Sequence, residues 1–179
     1  LGLFTSILRL RQVHQRLAQA PELDELMLLA QHVDPLDTGT LVDIFRAEEN
    51  ACLLGTDAVR DGIDVPGRAL RLIIYDRVPW PRPTILHKAR KVDFESKQAD
   101  IKYDDILTRL KLKQAFGRLT RRNDDRGIFI MLDRAMPSRL KSAFPVGVEI
   151  QRLGLAETVK EVKKFLVHPQ SDNHECVIR

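Results

Sequence analysis

Short apolar runs that alternate with helical patterns constrain the fold of this chain more than any other feature of its sequence. Five runs have the composition of buried strands, and they lie at 1–6, 27–31, 51–55, 70–76 and 127–133. Helical spacing of apolar residues occurs between and after them, over 7–19, 38–48, 103–121, 137–143 and 154–166. Continuously apolar strands separated by helices are typical of a parallel sheet that is covered on both faces. The pattern therefore predicts a three-layer α/β domain with a mostly parallel sheet.

Length and composition agree with a single folded domain. The chain has 179 residues, of which 44% are hydrophobic and 30% charged, a balance typical of a globular protein with a sizeable core. The final residues lack periodicity, so we expect a domain over residues 1–168 followed by a flexible tail over 169–179. Because the chain opens without Met on a strand-like run, we also expect it to be a fragment of a longer protein.

Membrane and metal-binding classes are disfavoured by the sequence. No apolar run approaches the roughly 20 residues that span a bilayer, and no secretory signal opens the chain. We therefore expect a cytoplasmic protein that does not bind a membrane. Two cysteines and five histidines without ligand spacing indicate no metal site, and Cys52, inside an apolar run, is expected to be a small core residue.

Positive charge is concentrated in two segments. Residues 102–126 hold eight Lys or Arg against four Asp, and residues 82–91 hold Arg82, Lys88, Arg90 and Lys91 with no acid. Local basic patches of this kind fit a nucleic-acid backbone or a nucleotide. A solvated, solubilising surface is the alternative interpretation.

The segment "KLKQAFGRLTRRNDDRG" (111–127) has polar residues at regular spacing. Spacings of four and three place Gln114, Arg118 and Arg121 on one stripe of a helix, with Gly117 beside them. Two guanidinium forks on one face are suited to binding a phosphate. From this segment alone, a solvated basic face is an equally good interpretation.

Polar residues follow three of the predicted strands. Thr5 and Ser6 follow the first strand, residues 55–64 follow the third, and residues 76–83 follow the fourth. Ligands of open α/β sheets bind at the carboxyl ends of the strands, so we expect functional residues there. The proline-rich "VPWPRP" (78–83) predicts a stiff loop rather than a helix.

Three motifs, taken in order, resemble a known family. "LFTS" (3–6) comes first, then T-D-x-x-x-x-G-I-D within "LGTDAVRDGIDVPG" (54–67), then Q-x-x-G-R-x-x-R within "QAFGRLTRR" (114–122). They resemble motifs IV, V and VI of the second RecA-like domain of superfamily-two helicases. With the proline-rich loop and "DRGIFIMLDRAMPSR" (125–139), the chain resembles the DinG/XPD branch, specifically the DinG-like bacterial ATP-dependent DNA helicases, over residues 1 to about 166.

The resemblance implies a nucleotide-facing set of residues. Arg118 and Arg121 would act as catalytic arginine fingers on ATP that is bound by the first RecA-like domain. The other nucleotide-facing residues would be Gln114, Gly117, Asp61, Gly62 and Asp64. Gly117 would let the helix approach its neighbour closely, whereas Asp64 has the alternative role of a turn former.

The same resemblance implies that part of the machinery lies outside this chain. Neither G-x-x-x-x-G-K-[ST] nor a D-E-x-H element is present, so ATP with Mg²⁺ would be bound mainly by the first RecA-like domain. The isolated fragment is therefore predicted to be inactive. Some relatives carry an iron–sulfur cluster in the first domain, about which these two cysteines give no information.

A track for single-stranded DNA is also implied. Thr56 would donate a hydrogen bond to a phosphate, Thr5 and Ser6 would line the track, Trp80 would stack on a base, and Arg82 would contact a phosphate. Each residue has a structural alternative. Thr56, Thr5 or Ser6 would cap the helix that follows, Trp80 would anchor its loop, and Arg82 would be part of a solvated face.

The sequence thus predicts the second motor domain of a DNA helicase that translocates on single-stranded DNA, with a role in DNA repair that rests on the family alone. Two alternatives stay open. One is an RNA helicase domain, and the other is a stand-alone, non-catalytic module that binds nucleic acid or a partner protein.

Overall fold

The computed structural model describes residues 1–63, 65, 70–98, 100–119, 126–167 and 175–178. Its strands are β1 (Gly2–Leu3), β2 (Met27–Ala30), β3 (Ala51–Gly55), β4 (Leu72–Tyr75), β5 (Ile128–Met131), β6 (Glu149–Arg152) and β7 (Glu175–Ile178). Its α-helices are α1 (Ile7–Leu17), α2 (Thr38–Ala47), α3 (Asp57–Gly62), α4 (Ile85–Lys97), α5 (Tyr103–Phe116) and α6 (Leu155–Val167). Two 3₁₀ helices cover Pro21–Leu23 and Ser138–Ala143.

The strands of the described residues form one parallel sheet in the order β2-β3-β1-β4-β5-β7-β6. Every strand pair in this sheet is parallel. Strand β1 lies inside the sheet, where Gly2 is in register with Leu54 of β3 and with Ile74 of β4. The predicted α/β class and parallel sheet are therefore confirmed.

Alternate residues of the strands face opposite sides of the sheet, as the pleat of a buried strand requires, and pack into one core cluster on one side and two on the other. On one face, Leu53, Tyr75 and Phe129 pack with α2, α3, α5 and the second 3₁₀ helix. On the other face, Leu54 packs with α1, and Ile130 packs with α6. The domain accordingly has three layers, with helices on both sides of the sheet.

Aromatic side chains join the strands to the helices in the larger core. The ring of Phe129 is fully buried, and its centroid lies 6.0 Å from Tyr75, 6.1 Å from Phe116 and 5.4 Å from Phe144. Tilted and edge-on rings at these distances add to the stability that burial alone provides. Phe129 therefore fixes α5 and the second 3₁₀ helix against the centre of the sheet.

Several predicted boundaries were wrong. Helix α5 ends at Phe116 and not at Arg121, because Gly117 has low helix propensity and the amides of Arg118 and Leu119 bond to the carbonyls three residues back. The segment predicted as a helix over 137–143 is a 3₁₀ helix. On α6, where the sequence has apolar residues at helical spacing over 154–166, Phe165 is buried but Leu155 and Val159 are 52% and 44% exposed.

Two strands, one α-helix and the 3₁₀ helix Pro21–Leu23 were not predicted from the sequence. Strand β7 lies within the predicted flexible tail and pairs with β5 and β6, which corrects that prediction for residues 175–178. Strand β6, "EIQR", has no apolar run because its residues are half-buried or exposed, and β7 lies in a segment without apolar periodicity. Helix α4 was missed because none of its residues is fully buried, so it has no core-facing stripe. The domain boundary at 168 stays a prediction.

Helix α4 is attached to α5 mainly by polar contacts around Asp104. This carboxylate accepts hydrogen bonds from His87 Nε2 at 2.8 Å and from Lys91 Nζ at 2.6 Å. The ring of Tyr103 packs between His87 and Phe94, with centroids 5.4 Å from each. Burial by itself raises the pKa of Asp104, but the hydrogen bonds from Lys91 and His87 outweigh it and hold the pKa below its ordinary value.

Removal of the central aromatic ring should destabilise the whole domain. We expect Phe129→Ala to lower the free energy of unfolding by about 3–5 kcal/mol, because it leaves a cavity among the surrounding rings. Urea unfolding followed by circular dichroism measures the change. Val146→Ala is the control, since Val146 is fully exposed, and it should change stability by no more than about 0.5 kcal/mol. Equal losses in the two variants would contradict this description of the core.

The contact between α4 and α5 should depend on pH. Because the pKa of Asp104 is lowered in the folded state, its contribution is complete above the unfolded value of about 3.9 and is lost as pH falls through the folded pKa. Asp104→Asn should therefore reduce stability and the protection of α4 amides at pH 7, and this difference from the unmodified chain should shrink as pH falls below about 3.9 and through the lowered folded pKa. Hydrogen exchange measures α4 directly. Asp93→Asn, which removes an exposed pair with Lys97, should have little effect at any pH.

Candidate nucleotide and nucleic-acid site

The carboxyl edge of the sheet carries a row of polar side chains. In spatial order from β2 to β5, these are Gln31, Thr56, Thr5, Asp76 and Asp133, each directly after its strand or within two residues of it. Helix α1, which follows β1, packs on one face of the sheet, while α2 and α3 pack on the other. Loops that diverge to opposite faces leave a crevice between them, which is where ligands of parallel α/β sheets bind.

The middle of this row is organised by Asp76. Its Oδ1 accepts a hydrogen bond from Thr5 N at 2.9 Å, and its Oδ2 accepts from Thr5 Oγ1 at 3.4 Å and from Arg9 Nη1 at 3.2 Å. Ser6 is the N-cap of α1, and its Oγ accepts from Arg9 N at 3.5 Å. The predicted capping role of Ser6 is confirmed. Since its hydroxyl is the acceptor in that bond, its proton is available to another acceptor.

Thr56 is held by Gln31 and not by its own helix. It occupies the N-cap position of α3, but its side chain makes no capping hydrogen bond. Instead, Gln31 Oε1 accepts from Thr56 N at 3.0 Å and from Thr56 Oγ1 at 2.8 Å. Gln31 Nε2 donates to Thr38 Oγ1 at 2.9 Å. The predicted side-chain cap at Thr56 is therefore wrong, because a buried amide competes for the hydroxyl.

Helix α3 is built around a buried arginine. Arg60 is 4% exposed, and its guanidinium donates to Asp57 Oδ1 at 2.7 Å and to Asp61 Oδ1 at 2.8 and 2.9 Å. The second oxygen of Asp57 accepts from Lys111 Nζ of α5 at 2.9 Å. Burial raises the pKa of the nearby Tyr75 hydroxyl to about 12, and the Arg60 guanidinium opposes that increase only in part.

Arg118 lies just beyond α5 and reaches α3. Its Nη2 donates to the carbonyl oxygen of Asp61 at 3.1 Å. Its Nε is buried and makes no hydrogen bond. Gln114 is exposed on the last turn of α5, so it and Arg118 belong to a helix and to the turn after it, and not to one continuous helical stripe as predicted.

The two glycines of the predicted nucleotide set differ in their surroundings. Gly62, at the end of α3, is exposed, and a Cβ added there would meet no atom within 4 Å. Gly117 is also exposed, and an added Cβ would contact carbonyl oxygens of its own preceding turn, at 3.3 and 3.7 Å. The close approach to a neighbour predicted for Gly117 is thus not seen within the described part of the chain. The open backbone at Gly62 is accessible to a ligand.

Predicted site residues fall into three groups. The structure brings Asp61, Gly62 and Arg118 together at the junction of α3 and α5. It places Thr5, Ser6 and Thr56 just after the neighbouring strands β1 and β3, at the carboxyl edge of the sheet. Arg121 and Asp64 lie outside the residues that the structure describes, so their predicted roles stay predictions.

The proline-rich segment is a loop without regular structure, as predicted. Val78 N donates to Asp133 Oδ2 at 3.1 Å, which fixes the loop to the end of β5. Trp80 is 39% exposed, and Arg82 is exposed. Both side chains are therefore accessible beside the row of polar residues.

Arg9 and Gln31, which shape the site, were not predicted from the sequence, and Arg60 and Asp76 were predicted only as members of the polar segments 55–64 and 76–83. A strand-end position was the available signal for Gln31 and Asp76, since both follow a strand directly. Nothing in the local pattern distinguishes Arg60 from a solvated charge, because its burial depends on how α3 packs against the sheet.

The described residues contain no group of three or more His, Cys, Asp or Glu side chains arranged to hold a metal ion. Among the helices in the described ranges, none has the length and apolar character needed to cross a bilayer.

A parallel sheet that is covered by helices on both faces and carries polar residues at its carboxyl edge defines an α/β domain of the RecA-like type. Comparison with known proteins is more specific, because residues 1–149 match the family described as the helicase C-terminal domain. The chain belongs to this family.

Individual relatives agree with the family match. The chain is 33% identical over 146 residues to the 3'-5' exonuclease DinG of Bacillus subtilis, an alignment that covers 80% of the chain and 15% of that protein. It is 34% identical over 139 residues to the ATP-dependent helicase DinG of Mycobacterium tuberculosis, with 76% and 20% covered. It is 35% identical over 105 residues to the ATP-dependent DNA helicase YoaA of Escherichia coli, with 56% and 16% covered. The matches thus span a fifth or less of these bacterial relatives.

Gly55 controls the position of α3, and its replacement should disturb the site. A Cβ at Gly55 would lie 2.5 Å from Val59 Cβ and 2.3 Å from Val59 Cγ2, so α3 and Thr56 would have to move. We expect Gly55→Ala to lower stability by about 1–3 kcal/mol, measured by thermal or urea unfolding. Gly62→Ala is the matched variant at the other end of α3 and should leave stability almost unchanged, because its added Cβ meets nothing. Equal stability of the two variants would contradict the packing described.

Proposed function

We propose that this chain is the second motor domain of an ATP-dependent DNA helicase that translocates along single-stranded DNA. In this proposal Arg118 and Arg121 act on ATP that is bound, with Mg²⁺, by the first RecA-like domain of the same protein. Family membership and the names of the bacterial relatives support a helicase activity. The proposal further includes a cytoplasmic location and a role in DNA repair.

One contact carries the assignment of the nucleotide-facing surface. The hydrogen bond from Arg118 Nη2 to Asp61 O joins the two sequence motifs at one place, beside the open backbone of Gly62. Only Nη2 of the Arg118 guanidinium makes a hydrogen bond within the described residues, so the guanidinium keeps further Nη donors for a ligand. A fixed arginine with unused donors beside an accessible backbone fits a phosphate group.

The charges around this surface are compatible with an anionic ligand. Asp61 would repel a phosphate if its carboxylate were free, but Arg60 neutralises it through two short hydrogen bonds. Arg60 is itself buried, so it holds Asp61 without competing for the ligand. With Asp61 paired to Arg60, the half-buried Arg118, which is bonded to the end of α3, is the cation that remains to bind a phosphate at this surface.

ATP, when bound by the first motor domain, supplies the phosphoryl group whose transfer to water drives the motor. This chain's part is to bring Arg118 and Arg121 to the opposite side of that phosphate as the two domains close. A rigid guanidinium stabilises charge that spreads over phosphoryl oxygens in the transition state. Gln114, one turn before Arg118, is in position to sense the same ligand, and reopening of the two domains after hydrolysis would advance the protein along DNA.

The carboxyl edge supplies the proposed DNA track. Ser6 has a hydroxyl proton available for a phosphate, and Thr5 and Thr56 line the track on either side of the crevice. Arg82 and Trp80, on the loop fixed by Asp133, would contact a phosphate and a base. DNA is favoured over RNA because the relatives are named for DNA or for the same helicase family.

The finger role is tested in the full-length gene product by ATP hydrolysis with and without single-stranded DNA. We expect DNA to stimulate turnover, and we expect Arg118→Ala and Arg121→Ala each to reduce that turnover by roughly 10³-fold or more while ATP still binds. Lys at either position should restore little, because it lacks the planar fork. Lys113→Ala, which removes a neighbouring exposed cation of α5, is the matched control and should retain turnover.

The results separate the alternatives. Normal turnover in both arginine variants would show that they belong to a solvated face. If RNA stimulates turnover more than DNA does, the substrate is RNA and not DNA. If neither nucleic acid stimulates turnover, the proposed motor function is wrong.

A further inference from the structure

The orientation of the Gln31 side-chain amide is fixed by its neighbours. Thr56 N is a hydrogen-bond donor, and it lies 3.0 Å from one end of this amide. The atom that faces a backbone N–H must be an acceptor, so this end of the amide is oxygen and the other end is the NH₂ group. Gln31 is only 6% exposed, and a flipped amide would place its NH₂ group against Thr56 N, so that two donors would face each other.

This orientation decides what the Thr56 hydroxyl can do. Thr56 Oγ1 lies 2.8 Å from the same Gln31 oxygen, which accepts and cannot donate. A hydroxyl has one proton, and here that proton points inward to Gln31. Thr56 therefore has no side-chain proton for a phosphate, which is itself only an acceptor.

The Thr38 hydroxyl is in the opposite situation. Gln31 Nε2 donates to Thr38 Oγ1 at 2.9 Å, so the Thr38 oxygen is the acceptor and its own proton is not used in this bond. Thr38 is half-buried at the start of α2, and its side chain therefore retains some access to solvent. Gln31 thus turns one threonine proton inward and leaves its neighbour's proton free to point outward.

Two nearby acids do not compete for this proton through their described contacts. Asp34 Oδ2 accepts from Ala30 N at 2.7 Å. Asp37 Oδ1 accepts from Gly39 N and Thr40 N, and its Oδ2 accepts from the Thr40 hydroxyl. Hydrogen bonds from Thr40 are the main reason that the pKa of Asp37 is lowered. Both carboxylates are directed at backbone or side-chain donors other than Thr38.

We propose that Thr38 donates a hydrogen bond to a phosphate of single-stranded DNA, and that Gln31 is the positioning residue that makes Thr38, and not Thr56, the donor. This inference rests on the proposed function, because it requires that the carboxyl edge of the sheet carries DNA. It changes the role of Thr56 from a phosphate donor to a partner that fixes the Gln31 amide.

The test measures DNA affinity of the full-length gene product, one phosphate at a time. In a single-stranded oligonucleotide of fixed sequence, each phosphate in turn is replaced by a methylphosphonate, which removes its charge. For the unmodified protein, replacement of the phosphate that contacts Thr38 should weaken binding by about tenfold. In Thr38→Val, which cannot make this hydrogen bond, replacement of the same phosphate should weaken DNA binding much less than in the unmodified protein. Replacement at the other positions should weaken binding as before. Thr38→Ser should restore the original pattern.

Two further variants keep the result specific. In Gln31→Glu both side-chain oxygens are acceptors, so Thr56 stays bonded while the Thr38 proton turns inward to the carboxylate. Replacement of the phosphate that contacts Thr38 should then weaken DNA binding as little as it does in Thr38→Val. Thr40→Val is the matched control, because the Thr40 hydroxyl already donates to Asp37 and should not contribute to any phosphate response. Because Thr38 is uncharged, Thr38→Val should leave the salt dependence of affinity unchanged, whereas Arg82→Ala should reduce its slope by about one.

Different failures have different meanings. If the unmodified protein binds single-stranded DNA but Thr38→Val keeps the full phosphate pattern, or if Thr56→Val removes the response of that single phosphate while Thr38→Val does not, the inference is overturned and the motor function is unaffected. If the unmodified protein does not bind single-stranded DNA at all, the proposed function fails and this inference fails with it.

Discussion

The placement of β1 between β3 and β4 is the constraint on which the candidate site depends. Parallel pairing sends the carboxyl ends of all three strands to one edge of the sheet. Because the helix after β1 packs on one face and the helix after β3 packs on the other, the two loops separate there. Thr5 and Thr56 consequently lie on either side of a crevice although 51 positions separate them in the chain. No local feature of either motif could produce this arrangement without the sheet.

Charge in the interior of the site is tolerated only because it is paired. An arginine as buried as Arg60 is costly unless every part of its guanidinium finds an acceptor. Asp57 and Asp61 provide those acceptors from the two ends of the same short helix, and Lys111 then binds the remaining oxygen of Asp57. The result is a small, nearly neutral cluster that fixes the direction of α3 relative to α5.

The sequence predicted the layers of the fold better than its edges. Runs such as 127–133 are apolar throughout because β5 is buried on both faces, and a continuously apolar run is a strong signal. Strand β6, "EIQR", is not an apolar run, since its residues are half-buried or exposed. Helix α4 has no fully buried residue from which a core-facing stripe could be recognised. Elements at the periphery therefore escape prediction for the same physical reason: little of their surface is removed from water.

At the candidate site, residue identity was predictable but hydrogen-bond direction was not. The motifs select Thr56 and Ser6 as hydroxyls at strand ends, and both are found there. The proton of Thr56 is directed by Gln31, which follows the neighbouring strand β2 and lies 25 positions earlier in the chain, and the Ser6 oxygen is engaged by the Arg9 amide in the first turn of α1. The backbone of His32 adds to this, because its φ of 67° is unusual for a side-chain-bearing residue and turns the chain sharply after Gln31. The His32 carbonyl accepts two hydrogen bonds from Arg11, which hold that turn in place.

Helix α3 connects the two halves of the site through a short path. Thr56 precedes its first residue at the carboxyl edge of the sheet, while the carbonyl of Asp61, near its last residue, holds Arg118. The helix is six residues long, and it is bonded near both ends, through Asp57 to Lys111 of α5 and through Asp61 to Arg118 in the turn after α5. A shift of α3 relative to α5 must therefore break or strain at least one of these two bonds. For that reason a displacement at the track and a displacement of Arg118 are physically linked in this fold, with no need for a longer chain of contacts.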